Sequence, residues 1–313
     1  MRVDSDTNSK AGLDRLVGTL TRNPPLGAVV TLGLGLMPVL NVLSGALLAL
    51  VLLWRGYLRT LLVLAAAVAG LALIGWATGQ GAGRMLMDPF VGPLFGIWLP
   101  TLLLAWVLKA SRSLALTFAV AALVGCAVVV GQLVLIADPF AMWLTILAQF
   151  LEPFKALRGL SAAQWHQDLE AMAHLMPGMS AAGGLVGAGA MLLLARYFQA
   201  RQVRPGAFGE EFRRLRLGHV VTVIASLVLV LRLVLDGPVL DNLAIVMLAL
   251  FLFQGLAVIH SLRLTRGWSI WVLVVFYILL VLLPLWLLGL VSGAGLVDNW
   301  FDFRRLRSQP PKH

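Results

Sequence analysis

Long apolar runs and short polar breaks alternate along the chain, the runs lying at about 26–37 with 39–54, then 60–78, 89–108, 113–136, 176–199, 217–235, 242–261 and 268–291. Most reach about 18 residues or more, enough to cross a hydrocarbon core about 30 Å thick as a helix. The in–out alternation of a membrane β-barrel is absent, and only helices or closed barrels satisfy their backbone groups in lipid. The pattern therefore predicts an all-α fold, a polytopic transmembrane helix bundle of about 8–9 spans. Residues 26–54 leave the count open. The run is too long for one untilted span and too short for two, and Pro38 removes a helical hydrogen bond near its middle. One kinked helix or a pair of short half-spans fits it.

Two segments interrupt the alternation. Residues 137–175 are too polar to span whole, yet Phe140, Trp143, Ile146, Phe150 and Phe154 recur at helical spacing. They predict an outer interfacial helix with its aromatics at headgroup depth. The stretch RPGAFGEEFRRLRLG, 204–218, opens on Pro and Gly. Phe208, Phe212 and Leu215 mark one face, and Glu210, Glu211, Arg213, Arg214 and Arg216 the other. An inner amphipathic helix is expected there, within a loop at 200–216. With a polar tail at 1–25 and a basic tail at 304–313, residues 26–303 read as a single transmembrane domain. The first 25 residues lack the apolar core of a signal peptide, so no cleaved leader is expected.

Composition agrees with a lipid solvent: 60% of the residues are hydrophobic and 12% charged, against roughly 25% charged in soluble domains. A net charge of +10 would suit nucleic acid. The bases sit in short loops beside apolar runs, however, where they set topology and meet anionic lipid headgroups, so direct nucleic-acid binding is not expected. With the loops at 55–59, 109–112, 196–216 and 261–266 on the cytoplasmic side, twelve Lys and Arg lie inside, against Arg84, Lys155 and Arg158 outside. The termini hold four bases each, and Pro284 with Gly289, Gly293 and Gly295 would let the last segment fold back. The side of the C-terminus stays open at this level.

Candidate chemistry is sparse. His166, Glu170 and His174 are four apart in WHQDLEAMAH and would share a helix face, as zinc ligands do. The alternative is the wet side of an amphipathic helix whose apolar edge is Trp165, Leu169, Met172 and Met176, and no HExxH or second cluster supports a metal. The glycines of GQGAGR, 79–84, lack the lysine of a phosphate loop, and no GxSxG elbow occurs. No cofactor and no catalytic residue are expected. Cys126, alone in the chain, has a packing role.

Polar side chains inside apolar runs carry more meaning. Arg232 stands four residues before Asp236, so it either snorkels outward with that partner or faces a ligand. Asn41, Gln132, Gln254 and His260 are the other candidates to line a polar cavity. Gly75 with Gly79, Gly92 with Gly96, and Gly183 with Gly187 have the spacing of close helix contacts. Pro89, Pro93 and Pro100 predict a kinked or broken outer end for their span. The closing stretch GLVDNWFDFRRLR reads as an interface anchor, with Trp300, Phe301 and Phe303 at headgroup depth and Arg304, Arg305 and Arg307 on phosphates. A sharper reading has Asp298, Asp302 and Arg304 docking on the inner loop around Phe212 and Arg213, which requires a cytoplasmic C-terminus.

PVLNVLSGALLALVLLWRG, ARYFQARQVRPGAFGEEFRRLRLG, FLFQGLAVIHSL and GLVDNWFDFRR, in that order, resemble the YybS-like family of uncharacterised bacterial membrane proteins over about residues 36–307. The resemblance implies a bacterial inner-membrane protein, distantly similar in fold to the S subunits of energy-coupling-factor transporters. The expected function is non-enzymatic binding or transport of a small-molecule or lipidic ligand in an intramembrane cavity. The alternative is a membrane scaffold, its loop arginines Arg213, Arg214 and Arg216 with Arg304 and Arg305 recruiting a cytoplasmic protein or ribonucleoprotein partner. Membrane lipids and a second copy of the chain complete the expected partners.

Overall fold

A computed structural model of the chain describes residues 3–37, 40–79, 92–159, 161–301 and 304. Thirteen α-helices and no β-strand occur among them: α1 Val3–Arg22, α2 Pro24–Gly35, α3 Asn41–Arg55, α4 Tyr57–Ala77, α5 Gly92–Ser111, α6 Leu114–Leu135, α7 Pro139–Arg158, α8 Ala162–Val203, α9 Ala207–Arg213, α10 His219–Val234, α11 Pro238–Thr265, α12 Ile270–Leu282 and α13 Pro284–Phe301. The all-helical class follows from the apolar runs. By length and composition, four helices could cross a membrane: α4, α6, α8 and α11.

Eight to nine spanning runs were expected, and the difference has a physical cause. Breaks cut several runs into pieces shorter than the roughly 20 residues a bilayer needs. The 26–54 run is a pair, α2 of 12 residues and α3 of 15. The last run divides at Leu283, before Pro284, into α12 and α13, since proline cannot donate to the preceding turn. The run at 217–235 becomes the 16-residue α10. Pro38, Pro89 and residues 80–84 lie outside the described residues. Pro100 sits inside α5 without ending it.

Residues 162–175 open the 42-residue α8, whose ideal length of roughly 63 Å is about twice a hydrocarbon core. The expected outer interfacial segment is therefore two helices. Asp138 caps α7 by accepting from the Ala141 N–H at 2.9 Å. Leu147 of α7 then packs with Trp165, Leu169 and Ala173 of α8, with Trp143, Leu144 and Leu151 beside them. Phe150 and Phe154 remain exposed, at 72% and 54%, so half of the expected aromatic stripe is turned inward by the partner helix.

Contacts divide the chain into two compact units, Met1–Thr117 with Gly187–Phe212, and Phe118–Val186 with Arg213–His313. The first is built on a core of Leu48, Val51, Val63, Ala67, Leu71 and Trp98. The Trp98 indole donates to Ser44 Oγ at 2.9 Å, which satisfies its one polar atom. Gly56, at φ +90°, turns α3 directly into α4. The free carbonyls at the end of α3 are taken by side chains: Lys109 Nζ donates to Leu52 and Leu53 O at 2.8 and 3.2 Å, and Gln199 Nε2 to Leu53 O at 3.1 Å.

The second unit is organised by the crossing of α11 and α13. An added Cβ on Gly255 would meet the Val291 carbonyl, and one on Gly295 the Phe251 carbonyl and the Gly255 backbone. The pairing of 255 with 291 and 251 with 295 makes the two helices antiparallel. Close backbone approach is the main source of helix adhesion in lipid. These are not the glycines the spacing singled out: a Cβ added at Gly79, Gly96, Gly183 or Gly187 would meet only open space.

Candidate functional site

Between α9 and α10 the backbone at 215–218 is neither helix nor turn, and Leu215 and Leu217 are buried. Its polar groups need partners. Gln254 Oε1 accepts from the Leu217 N–H at 3.0 Å. Arg304 donates through Nη1 to Arg213 O at 2.6 Å and through Nη2 to Leu215 O at 3.0 Å. Asn299 Nδ2 donates to Gly218 O at 3.1 Å and to Thr222 Oγ1. Asp298 binds the arrangement together: it accepts from Arg304 Nη2 at 2.5 Å, from Nε at 3.1 Å and from Gln254 Nε2 at 3.3 Å. Asp298 and Gln254 are fully buried, and the Arg304 side chain is 9% exposed.

This network corrects the reading of the C-terminal stretch as a plain interface anchor. α13 carries Asp298 into the protein, where a charge is tolerated because Arg304 neutralises it. Arg304 is spent on internal acceptors and is not presented to lipid or to a partner. Trp300 and Phe301 on the same helix are exposed. Asp302, Phe303, Arg305, Arg307 and Lys312 lie outside the described residues. The inner amphipathic helix covers only Ala207–Arg213. Of its loop arginines, Arg214 is exposed, and Arg213 and Arg216 are half-buried.

A second polar seam surrounds Pro177 in α8. In a regular helix the His174 carbonyl and the Gly178 N–H face each other as an i to i+4 pair. The buried amide of Asn242 binds both of these groups, Nδ2 donating to His174 O at 2.9 Å and Oδ1 accepting from Gly178 N at 2.5 Å, while α8 runs on through Pro177. Gln132 Nε2 reaches the Pro177 carbonyl at 3.4 Å and Ser180 Oγ at 3.3 Å, while its Oε1 accepts from Trp143 Nε1 at 3.0 Å. Asn242 was not among the sequence candidates. The Pro-Gly pair inside an apolar helix is the signal of a weak point in its hydrogen-bond ladder.

The remaining candidates do not converge. Arg232 pairs with Asp236 at 3.5 Å and also with Asp241. His260 Nε2 and the Tyr277 hydroxyl are 2.8 Å apart, at the edge of a groove along one face of α12. Asn41 opens α3, its carbonyl accepting from Ser44 Oγ at 2.6 Å. Arg232, Gln132, Gln254 and His260 thus each serve a different local network and do not meet around one polar cavity. The metal trio is also apart. His166 Nδ1 lies 3.3 Å from Glu170 Oε1 on an exposed surface, whereas the His174 ring packs on Phe140 with centroids 4.3 Å apart. No group of three potential ligands able to hold a metal occurs among the described residues.

A cavity does form between α6, α10 and α11, with a volume of about 500 Å³. Ala119, Ala122, Leu123, Cys126, Ala127 and Val130 line one side; Val221, Ile224, Val228, Leu243, Met247 and Leu250 line the other. The small side chains of α6 leave the space, and none of these lining residues offers a charge. No family model, no curated protein and no solved structure matches the chain.

Proposed function

We propose that this is a non-enzymatic integral membrane protein that holds a lipidic ligand in the groove between α6, α10 and α11. The observation that carries this reading is the groove itself: about 500 Å³ lined wholly by aliphatic side chains, Met247 and Cys126, on a pair of helices, α6 and α11, long and apolar enough to span. Such a surface matches an acyl chain and offers nothing to a polar solute. Within the general expectation of a small-molecule or lipidic ligand, the lipidic branch is therefore favoured.

In this reading α2, α3, α5, α10, α12 and α13 also lie within the bilayer as short or paired segments, making up the eight to nine apolar runs. The membrane is the bacterial inner membrane, in keeping with the YybS-like motifs, and the arginine-rich loops face the cytoplasm. The scaffold reading gains less support, because Arg304, one of the arginines it relies on, donates to Asp298 and to the carbonyls of Arg213 and Leu215.

Native mass spectrometry of the intact protein, extracted gently from its own membrane, tests the proposal. A lipid retained at a stoichiometric ratio is expected. Ala122→Trp, which fills the groove, should release it, and Cys126 on the same wall should react with a membrane-permeant maleimide faster in the delipidated wild type than in this variant. A wild-type protein that retains no lipid, or equal retention in the filled variant, defeats the reading.

A further inference from the structure

Arg55 ends α3, its guanidinium carbon 4.3 Å from the centre of the Trp54 ring. Two of its nitrogens, Nε and Nη2, are buried and meet no hydrogen-bond acceptor among the described residues. A buried N–H without an acceptor is costly, although Arg55 as a whole is half-buried. The acids of its own unit do not relieve it. Asp14, Glu210 and Glu211 are engaged by Arg201, Arg204 and Arg196 at 3.1, 3.7 and 2.9 Å. The surroundings add positive charge instead. Arg22 and Arg59 are near enough to act on the Arg55 charge. Both neighbours are exposed. Lys109 is not part of the set, since its ammonium is held by the carbonyls that end α3.

The unserved atoms have a particular shape. Nε and Nη2 form one edge of the planar guanidinium, the fork that donates two parallel hydrogen bonds to two oxygens of a phosphate. We propose that Arg55, assisted by Arg22 and Arg59, is a phosphate-binding site at the end of α3. The site is independent of the apolar groove. The last turn of an apolar helix, with Trp54 beside it, suits a phospholipid headgroup, and the same chemistry would accept free phosphate.

The test uses the full chain, delipidated in a maltoside detergent, with melting temperature and native mass spectrometry as readouts. Three probes are titrated separately: dioleoyl phosphatidylglycerol, inorganic phosphate and dioleoylglycerol. A bound adduct and a raised melting temperature with phosphatidylglycerol alone identify a headgroup site; the same response to inorganic phosphate identifies a soluble anion as the source. Arg55→Gln should weaken binding by about tenfold or more, the size of a lost charge-assisted bidentate contact. Arg55→Lys, which keeps the charge and loses the fork, should lie between, and Arg214→Gln should match wild type. Should Arg55→Gln fail to fold, the exposed Arg59→Gln carries the test, with a several-fold loss expected. No response to either phosphate probe, an equal response to dioleoylglycerol, or unchanged affinity in the variants overturns the proposal.

Discussion

Asn242 does at residue scale what an apolar environment favours beside a proline inside a helix: it lends a donor and an acceptor to the backbone around Pro177. Asn242→Ala should cost about 1–3 kcal/mol, the penalty of leaving buried backbone groups unserved, read from denaturant unfolding in detergent. Pro177→Ala in the same chain should recover part of that loss by supplying an N–H to the Ala173 carbonyl; strict additivity of the two changes would show that the amide and the proline act independently. Asp298 and Arg304 make a second residue-scale case. Arg304→Ala strands a fully buried carboxylate and should cost about 3–5 kcal/mol, whereas Asp298→Asn with Arg304→Gln should cost less than Arg304→Ala alone. An equal loss in the single and double variants would argue against a charge-pairing role. The sequence marked Asp298 and Arg304 by their crowding at the chain's end. It could not mark Asn242, because an asparagine near a helix start looks like an ordinary cap until the partner helix is known.

At the scale of elements, the decisive contact is the crossing of α11 and α13. Gly255→Val puts a side chain against the Val291 carbonyl and should destabilise by about 1–3 kcal/mol through forced separation of the helices. Gly183→Ala, with open space around it, should be neutral or stabilising by up to about 1 kcal/mol, since alanine is the better helix former. Thermal unfolding of the pair of variants checks both, and a Gly255→Val protein as stable as wild type would rule out the close crossing. Spacing alone also pointed to Gly79, Gly96, Gly183 and Gly187, which meet open space, because a four-residue repeat says that a small face exists, not that another helix covers it. The same limit applies to α7. Its aromatic stripe was legible, but water, headgroups or a second helix can each cover such a stripe, and Trp165 with Leu169 covers part of it.

For the whole molecule, charge asymmetry orients the loops and leaves the C-terminus undecided. The hydrogen bonds from Arg304 to the carbonyls of Arg213 and Leu215 put residue 304 beside the backbone that leads into α10. In a bilayer that places residue 304 on the same side as that loop. A C-terminal green fluorescent protein fusion should therefore fluoresce and an alkaline phosphatase fusion stay inactive, as cytoplasmic fusions do; the reverse pattern would contradict this topology. The break at Pro284 makes the arrangement possible, because α12 and α13 are separate helices and not one continuous span.

By itself the sequence determined the solvent and the class of the protein. With 60% hydrophobic residues grouped in runs of helical length, a helical backbone is the way to satisfy its own polar groups in lipid, and that conclusion depends only on local composition. The sequence also carries the break at Pro284 and the weak point at the Pro-Gly pair 177–178. What tertiary structure alone decided is which surfaces those breaks expose and what meets them: the amide of Asn242 on α8, Gln254 and Arg304 on the irregular backbone before α10, Gly255 against Val291, and the small residues of α6 that open a groove. These are contacts between residues tens of positions apart, and no local periodicity carries their pairing.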